Sequence, residues 1–214
     1  MSKKKGIKII NSGTDPIFFN PNKYTKKIKE KHRVEGKLII TVSRLIKRKN
    51  IIDLIKAAKI VVDRYPKTKF LIIGKGEEKD NLLQLIKKLN LKNNIHLLGF
   101  IPEKDLPKYY ATADIFTLTS KYEGQGTVNS EAMSSGTPVV SYDTTGARDI
   151  IINGKTGFIT KHDYKEFANK LLILIKNEKL LKEMSKNARN HIVKNFTWDD
   201  YAKKHDVEFK KLIG

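Results

Sequence analysis

The sequence predicts a doubly wound α/β domain, a Rossmann-like parallel sheet with helices on both faces. Two observations support this prediction. Short runs rich in Ile, Leu, Val and Phe recur along the 214-residue chain, and segments with apolar residues at helical spacing separate them. Strands that are apolar throughout are typical of a parallel sheet that is covered on both sides.

The predicted elements alternate from residue 38 onward. Residues 38–42 form a β-branched run that predicts the first strand, and residues 51–63 carry apolar side chains at helical spacing. The same criteria predict further strands at 70–73, 95–98, 115–118, 138–141 and 157–159. They predict further helices at 77–89, 104–113, 128–134, 164–176, 178–194 and 198–212, the last capped by Thr197.

The chain before the first predicted strand has a different character. Residues 6–21 contain turn signals such as Asp15-Pro16 and are expected to be extended and irregular, and residues 25–34 predict a short basic helix. Residues 1–5 are basic, but no apolar stretch follows them as it would in a signal peptide. No apolar run approaches the roughly 18 residues of a membrane span.

The composition limits the function classes. The chain contains no cysteine, which excludes disulfides and thiolate metal sites and is compatible with a reducing cytosol. Its 43 Lys and Arg residues against 23 Asp and Glu residues give a net charge of +20. Because the lysines are spread over nearly every predicted helix without a nucleic-acid-binding motif, we expect no nucleic-acid partner. Attraction to an anionic membrane surface is more consistent with diffuse lysine.

Candidate binding residues lie in the loops that follow the strands, because ligands of doubly wound sheets bind outside the carboxyl ends of the strands. After the first strand, Arg44 and Lys49 bracket a short cationic loop. Together they could neutralise a diphosphate, Arg44 through a bidentate fork and Lys49 as a point charge. Solvated surface charge is the alternative interpretation of this loop.

The stretch after the fourth strand sets two carboxylates either side of a glycine-rich turn. Glu123 lies in the turn and Glu131 on the following helix, with Gly124 and Gly126 allowing close backbone approach. Free N–H groups at the helix start favour an anion. Since helical side chains lean toward the N-terminus, Glu131 is expected to point back at the same ligand. A tight turn with two solvated glutamates remains the alternative.

The other loops give weaker signals. Gly74-Lys75-Gly76 resembles a dinucleotide fingerprint without its third glycine, and a plain tight turn is the simpler interpretation. Arg148 and Asp149 suggest an ion pair at a helix start. His96 is expected to be a packed histidine, and no histidine or serine shows the spacing of a metal site or a nucleophile elbow. A hydrolase is therefore poorly supported.

Five blocks of the sequence together resemble one known family. They are Arg44 with Lys49, Gly74-Lys75-Gly76, residues 98–102, the run from Glu123 into Glu131, and residues 136–140. In order and spacing they are similar to the donor-binding half of GT-B glycosyltransferases of family 4, and Glu123 and Glu131 match that family's E-x7-E signature. The resemblance covers residues 8–213, and Asn11 to Asp15 resembles the hinge that enters this half in complete enzymes.

The resemblance implies a role for each matching residue. Arg44 and Lys49 would hold the diphosphate of a nucleotide sugar linked to UDP, GDP or ADP. Glu123 would bind the transferred sugar, Glu131 the ribose, and the main chain of Ile101 the base. The backbone of Gly124, Gln125, Gly126, Thr127 and Val128 would lie near the sugar and phosphates. Transfer would retain the anomeric configuration without a cofactor or metal, with Glu123, Arg44 and Lys49 as the catalytic residues.

Two departures from the family pattern qualify this expectation. Gln125 stands where the family usually has an aromatic residue. The acceptor-binding half is expected to be missing, because about 35 residues before the first strand are too few for a second domain. The resemblance divides the chain into a hinge segment with a short helix (1–35), a nucleotide-sugar-binding domain (36–196) and a crossover helix (197–214).

The expected function is therefore that of the donor-binding domain of a retaining glycosyltransferase, with little activity alone. The alternative is a non-catalytic nucleotide-sugar-binding module that works with a partner chain. The expected location is the cytoplasm, including the inner face of the membrane. Base, sugar and acceptor are not specified by these residues.

Overall fold

The described residues form a six-stranded parallel sheet. The computed structural model of the protein describes residues 9–213. Its strands are Leu38–Val42 (β1), Lys69–Ile73 (β2), Ile95–Gly99 (β3), Ile115–Leu118 (β4), Val139–Tyr142 (β5) and Gly157–Thr160 (β6). Their order across the sheet is β3-β2-β1-β4-β5-β6, and every neighbouring pair is parallel. The predicted doubly wound fold is confirmed.

Helices connect the strands and cover both faces. They are Lys26–Lys31 (α1), Ile51–Arg64 (α2), Lys79–Lys88 (α3), Leu106–Thr112 (α4), Thr127–Ser134 (α5), Thr145–Ile150 (α6), Tyr164–Lys176 (α7), Glu178–Asn195 (α8) and Trp198–Ile213 (α9). The predictions for residues 1–8 lie outside the described residues.

Two helix starts differ from the sequence predictions. The predicted helix 104–113 is a 3-10 turn, Glu103–Asp105, followed by α4. Pro107 has no N–H to donate, so it fits only the first turn of a helix, and α4 accordingly begins at Leu106. The predicted helix 77–89 begins later, at Lys79, because the N–H of Glu78 bonds to the carbonyl of Leu45 instead.

The alternation of side chains along each strand divides the core into two layers. Ile39, Phe70 and Ile72 pack on the face covered by α2, α3 and α7. Leu38 and Ile40 point to the opposite face, which α4 and α5 cover. Both layers are buried, which is why the strands are apolar at consecutive positions rather than at every second one.

The strand order places a topological switch between β1 and β4. The chain runs outward from β1 through β2 to β3, then returns to β4 on the other side of β1. The loops that leave the carboxyl ends of β1 and β4 therefore diverge and leave a crevice between them. These are the loops that carry Arg44, Lys49 and Glu123.

The segment before α1 joins the start of α9. The N–H of Thr14 donates to the carbonyl of Phe196 at 2.8 Å, and Thr14 forms a β-bridge with Thr197. Thr197 caps α9 as predicted, because its Oγ1 accepts from the N–H of Asp200 at 3.1 Å. Trp198 and Phe209 on this helix expose more than half of their surface. No helix among residues 9–213 is long and apolar enough to cross a membrane.

Candidate functional site

The crevice at the switch point opens into a cavity of about 650 Å³, which we call the main cavity. The loops after β1, β2 and β3 and the turn before α5 form its walls. It collects most of the residues that the sequence predicted for a ligand site: Arg44, Lys49, Ile101, Glu123, Gln125, Gly126, Thr127 and Val128. Residues far apart in the sequence are thus brought together at the edge where a doubly wound sheet binds ligands.

Lys49 and Glu123 form an ion pair on the wall of the main cavity. The ε-amino group of Lys49 contacts Oε1 of Glu123, and each side chain is 12% exposed. The hydroxyl of Ser120 donates to the same oxygen at 2.8 Å. Both charges are thus largely withdrawn from water and fixed in position. A charged group held in this way interacts strongly with a ligand because little solvent screens it.

Arg44 complements this pair with an unpaired cation. Its side chain is exposed, lines the main cavity and forms no ion pair or hydrogen bond with any residue in the described range. If the charges of Glu123 and Lys49 cancel, the guanidinium of Arg44 and the ammonium of Lys75 leave the lining of the cavity with a net positive charge. The cavity is therefore suited to a ligand that carries negative charge.

Glu131 lies beside the main cavity rather than on its wall. It lines an adjoining cavity of about 630 Å³, the side cavity, together with Ser12, Trp198 and Thr127. Thr127 lines both cavities, so the two meet at the start of α5. The two carboxylates therefore flank Thr127, Glu123 on the wall of the main cavity and Glu131 on the wall of the side cavity, and their approach to one ligand stays a prediction.

A tyrosine hydroxyl orients Glu131. The hydroxyl of Tyr110, a fully buried residue of α4, donates to Oε2 of Glu131 at 2.7 Å. Burial raises the pKa of Glu131 above its ordinary value, while the hydrogen bond from Tyr110 opposes the rise. Burial and the neighbouring carboxylate raise the pKa of Tyr110 as well, so its hydroxyl stays protonated and continues to donate. One oxygen of Glu131 is left for other partners.

The glycine-rich turn between the two carboxylates is built from close backbone contacts. Gly126 adopts a left-handed conformation with φ of 64° and precedes the first residue of α5. The turn rests on Gly146, where an added Cβ would lie 2.5 Å from the backbone of Gln125. The side chain of Gln125 donates to the carbonyl of Ser12 at 3.3 Å. Gly124 does not line the main cavity and faces open space.

The far end of the main cavity is apolar. Ile73, Ile101 and Leu106 line it, and the exposed ring of Phe100 lies 5.6 Å from the ammonium of Lys75. Gly74-Lys75-Gly76 is irregular rather than the start of a helix, and the turn follows it at residues 77–78. The N–H of Gly74 donates to the carbonyl of Gly99 at 2.7 Å, and the carbonyl of Lys75 accepts from the N–H of Leu45 at 2.9 Å. Gly74 has φ of 139° and lies against the carbonyl of Ser43, where no side chain would fit.

Sequence reasoning missed the partners of both carboxylates. Ser120 is three residues before Glu123 at the end of a strand, a position that could have been flagged. Tyr110 lies 21 residues from Glu131 on another helix, and no local signal connects them. The predicted ion pair between Arg148 and Asp149 is wrong: Arg148 forms a fork with Asp143 at 2.6 and 3.1 Å, because the turn before α6 brings Asp143 alongside.

The histidines do not contribute to either cavity. His96 contacts His32, with 3.4 Å between their Nδ1 atoms, and burial lowers the pKa of both. This pair lies beside β3 and lines neither the main cavity nor the side cavity. Within the part of the chain that the structure describes, no group of three His, Asp or Glu side chains could hold a metal ion.

The sequence matches the model of a known protein family. The family model for glycosyl transferases group 1 matches residues 22–191, which span the sheet and the whole lining of the main cavity. The chain belongs to the glycosyl transferases group 1 family. Its fold is that of a GT-B glycosyltransferase domain.

Curated relatives agree with this membership. Poly(ribitol-phosphate) alpha-N-acetylglucosaminyltransferase of Staphylococcus aureus is 34% identical over 178 residues, covering 81% of this chain and 35% of that protein. Poly(glycerol-phosphate) alpha-glucosyltransferase of Bacillus subtilis is 31% identical over 194 residues, covering 85% of this chain and 28% of that protein. The chain thus spans only about a third of the length of these two relatives.

Solved structures match the same fold. The Anabaena protein HepE in complex with UDP superimposes with a TM-score of 0.86 at 26% identity, covering 95% of this chain and 57% of that one. The C-terminal domain of the group 1 family protein LpcC from Francisella tularensis superimposes with a TM-score of 0.79 at 26% identity. That match covers 86% of this chain and 99% of the domain.

Proposed function

We propose that this chain is the donor-binding half of a retaining glycosyltransferase and that a nucleoside diphosphate sugar occupies the main cavity and reaches Glu131 in the side cavity past Thr127. The observation that carries the proposal is the convergence of Arg44, Lys49 and Glu123 at the topological switch point. Two cations and one carboxylate beside a helix start suit a ligand that combines a diphosphate with a polyhydroxylated sugar. The UDP in the matched Anabaena structure is consistent with this chemistry.

Arg44 and Lys49 would serve the diphosphate. Arg44 is free to form a bidentate contact, and Lys49 is fixed by Glu123 within the same cavity. When the bond between sugar and phosphate breaks, negative charge grows on the departing diphosphate. Cations that are already in place stabilise that charge without reorganisation, which lowers the barrier to transfer.

Glu123 would serve the transferred sugar. Its Oε1 accepts from both Ser120 and Lys49, so its second oxygen is available to a sugar hydroxyl. A carboxylate at this position also favours positive charge on the sugar as the bond breaks. We propose that transfer retains the anomeric configuration and needs no metal, since the two cations supply the charge stabilisation.

Glu131 and Ile101 would hold the nucleoside. The carboxylate oxygen of Glu131 that Tyr110 leaves unbonded is suited to ribose hydroxyls. The main-chain groups of Ile101 and the exposed ring of Phe100 lie at the apolar end of the main cavity, where a base could be bonded at its edge and stacked on its face. The backbone at Gln125 to Val128 would lie between the two ends.

The acceptor would be bound by a second half. Because the chain spans about a third of the length of two curated relatives, we propose that a further GT-B domain, in the same polypeptide or in a partner chain, completes the enzyme. Ser12 and the exposed Trp198 both line the side cavity, and we propose that the second half contacts this surface. The alternative is a non-catalytic nucleotide-sugar-binding module.

Calorimetry with UDP-, GDP- and ADP-sugars tests the proposal and identifies the base. One of the three should bind, and Glu131→Ala should weaken its binding by about tenfold, the effect of losing a hydrogen bond to a charged group. Glu183→Ala, which removes an exposed carboxylate of α8, is the matched control and should bind as the wild type does. No binding of any sugar nucleotide, or equal affinity in Glu131→Ala, would contradict the site assignment.

We also propose a cytoplasmic location with contact at an anionic membrane surface. The net charge of +20 supports the contact, because each lysine near an anionic surface adds to the attraction. Sedimentation with vesicles that contain phosphatidylglycerol, compared with pure phosphatidylcholine vesicles, tests it. Equal sedimentation with both would exclude an electrostatic membrane contact.

A further inference from the structure

The position of Lys49 depends on an unusual bend in the chain directly after it. A 3-10 turn, Lys47–Lys49, ends at Asn50, whose backbone is left-handed with φ of 50° and ψ of 42°. Helix α2 begins at the next residue. Residues other than glycine pay an energetic cost in this conformation, although asparagine tolerates it better than most. The bend that directs Lys49 into the main cavity therefore needs support from the surrounding structure.

A partly buried carboxylate and a tyrosine supply that support. The side-chain amide of Asn50 donates to Oδ2 of Asp53 at 2.7 Å, and the hydroxyl of Tyr142 donates to the same oxygen at 3.0 Å. Tyr142 is fully buried at the carboxyl end of β5, and the side chain of Asp53 is 20% exposed. Burial and the nearby Asp53 raise the pKa of Tyr142, so the hydroxyl remains a donor.

The opposite side of the bend is tied to the loop after β4. The hydroxyl of Thr119 donates to the carbonyl of Lys49 at 3.2 Å, and the N–H of Lys121 donates to the carbonyl of Arg48 at 2.9 Å. The turn is thus held between β5 through Tyr142 and the loop that carries Glu123. This chain of hydrogen bonds lies outside the main cavity, since neither Asp53 nor Tyr142 lines it.

We propose that Tyr142 and Asp53 are positioning residues, which act through Asn50 to hold the amine of Lys49 where the donor diphosphate binds. This inference rests on the proposed function, in which Lys49 contacts the diphosphate. The alternative interpretation is that the side chains of Asn50, Asp53 and Tyr142 only stabilise the start of α2. In that case their loss would lower the free energy of unfolding without a selective effect on the diphosphate.

A double-mutant cycle separates these interpretations. UDP and uridine are titrated by calorimetry against the wild type, Tyr142→Phe, Lys49→Ala and the double variant, and the weaker ligand, uridine, is measured by its displacement of UDP. If the sugar-nucleotide titrations select guanine or adenine, the diphosphate and nucleoside of that base replace UDP and uridine in this and the later comparisons. We expect Tyr142→Phe to weaken UDP binding by roughly threefold to tenfold and to leave uridine affinity unchanged. In the Lys49→Ala background, Tyr142→Phe should not weaken UDP binding further. Tyr65→Phe, at the opposite end of α2, is the matched control and should match the wild type.

Asn50→Gly provides a second variant should Tyr142→Phe fold poorly. Glycine keeps the left-handed bend but removes the side-chain link to Asp53. It should weaken UDP binding by roughly twofold to fivefold, again without an effect on uridine.

The outcomes distinguish this inference from the proposed function. Equal losses for UDP and uridine, or losses in Tyr142→Phe and Lys49→Ala that multiply in the double variant, would overturn the positioning role. Unchanged UDP affinity in Tyr142→Phe and in Asn50→Gly, with a clear loss in Lys49→Ala, would overturn it too and leave the proposed function intact. Unchanged UDP affinity in Lys49→Ala itself would overturn the proposed function and this inference with it.

Discussion

Glu123 and Glu131, the two carboxylates that flank the glycine-rich turn, are held in different ways. Glu123 is paired with a cation, Lys49, and with the hydroxyl of Ser120. Among residues 9–213, Glu131 has a neutral donor, Tyr110, and no charged partner, and burial raises its pKa. One lies on the wall of the main cavity and the other on the wall of the side cavity. Two glutamates at a fixed spacing in the sequence thus differ in their surroundings, because their hydrogen-bond partners differ.

This difference suggests a division of labour. A carboxylate beside a cation suits the end of the ligand where charge changes during transfer, because the pair is fixed before the reaction begins. A carboxylate beside a neutral hydroxyl suits a ligand part that only needs to be held. The predictions below test this division by removing one partner at a time.

The largest effect is expected for Lys49→Ala. It removes one of the three cations that line the main cavity, Arg44, Lys49 and Lys75, and leaves Glu123 without its charged partner. UDP affinity should fall about tenfold to a hundredfold, which corresponds to roughly 1.5–3 kcal/mol for a charged hydrogen bond. Calorimetry measures the change. Lys47→Ala, an exposed cation of the same turn, should bind normally, and a similar loss in that control would mean that the effect is only one of overall charge.

Tyr110→Phe should have the next largest effect. It leaves the partly buried carboxylate of Glu131 without its donor, and we expect the free energy of unfolding to fall by about 1–3 kcal/mol. Ser120→Ala is the matched test at the other carboxylate. It should lower the free energy of unfolding by less, about 0.5–1 kcal/mol, because Lys49 still pairs with Glu123. Urea denaturation of both variants checks the ranking, and a larger cost for Ser120→Ala would refute the contrast.

A smaller effect concerns pH. The pKa of Glu131 in the folded protein lies above its ordinary value of 4.5, so the folded protein binds more protons than the unfolded chain between these two values. Its contribution to stability is therefore fully present below pH 4.5 and is lost as the pH rises through the folded-state pKa. The free energy of unfolding of the wild type relative to Glu131→Gln should decline over that range. Urea titrations at several pH values measure this difference in the free energy of unfolding. An increase of the difference with pH would show that folding lowers the pKa of Glu131 instead of raising it.

The smallest effect is expected for Gln125→Ala. Its hydrogen bond to the carbonyl of Ser12 is long and partly exposed, so its loss should cost under about 1 kcal/mol. Neither carboxylate loses a partner, and UDP affinity should change by less than about threefold. Thermal unfolding and calorimetry together test this. A loss as large as that of Lys49→Ala would show that the bond to Ser12, rather than the partners of the carboxylates, governs the site.

Periodicity and the topology rule together predicted the sheet and the edge at which the site lies. Strand β4 and helices α2 and α7 were predictable nearly to the residue because long apolar patterns define them. For helix α6 only a helix start at Arg148 and Asp149 was suggested and its bounds were not predicted, because six residues are too few to show a helical period. Arg44, Lys49 and Glu123 could be predicted as a group because all three follow strands that neighbour each other at the switch.

The pairing within the site could not be predicted from the sequence. Lys49 and Glu123 are 74 residues apart, and their contact depends on the left-handed bend at Asn50, which no local pattern announces. The turn of Glu131 toward Tyr110 depends on how α4 packs beside α5. Both facts follow from tertiary packing, which decides which of several polar neighbours a side chain reaches.

The central claim is that the main cavity binds a nucleoside diphosphate through its diphosphate. Comparing UDP with uridine on the wild-type chain by calorimetry tests it most directly, because the two ligands differ only in the group that Arg44 and Lys49 are proposed to hold. UDP should bind at least about tenfold more tightly than uridine, the equivalent of one charged hydrogen bond. Equal affinities for UDP and uridine would contradict the claim.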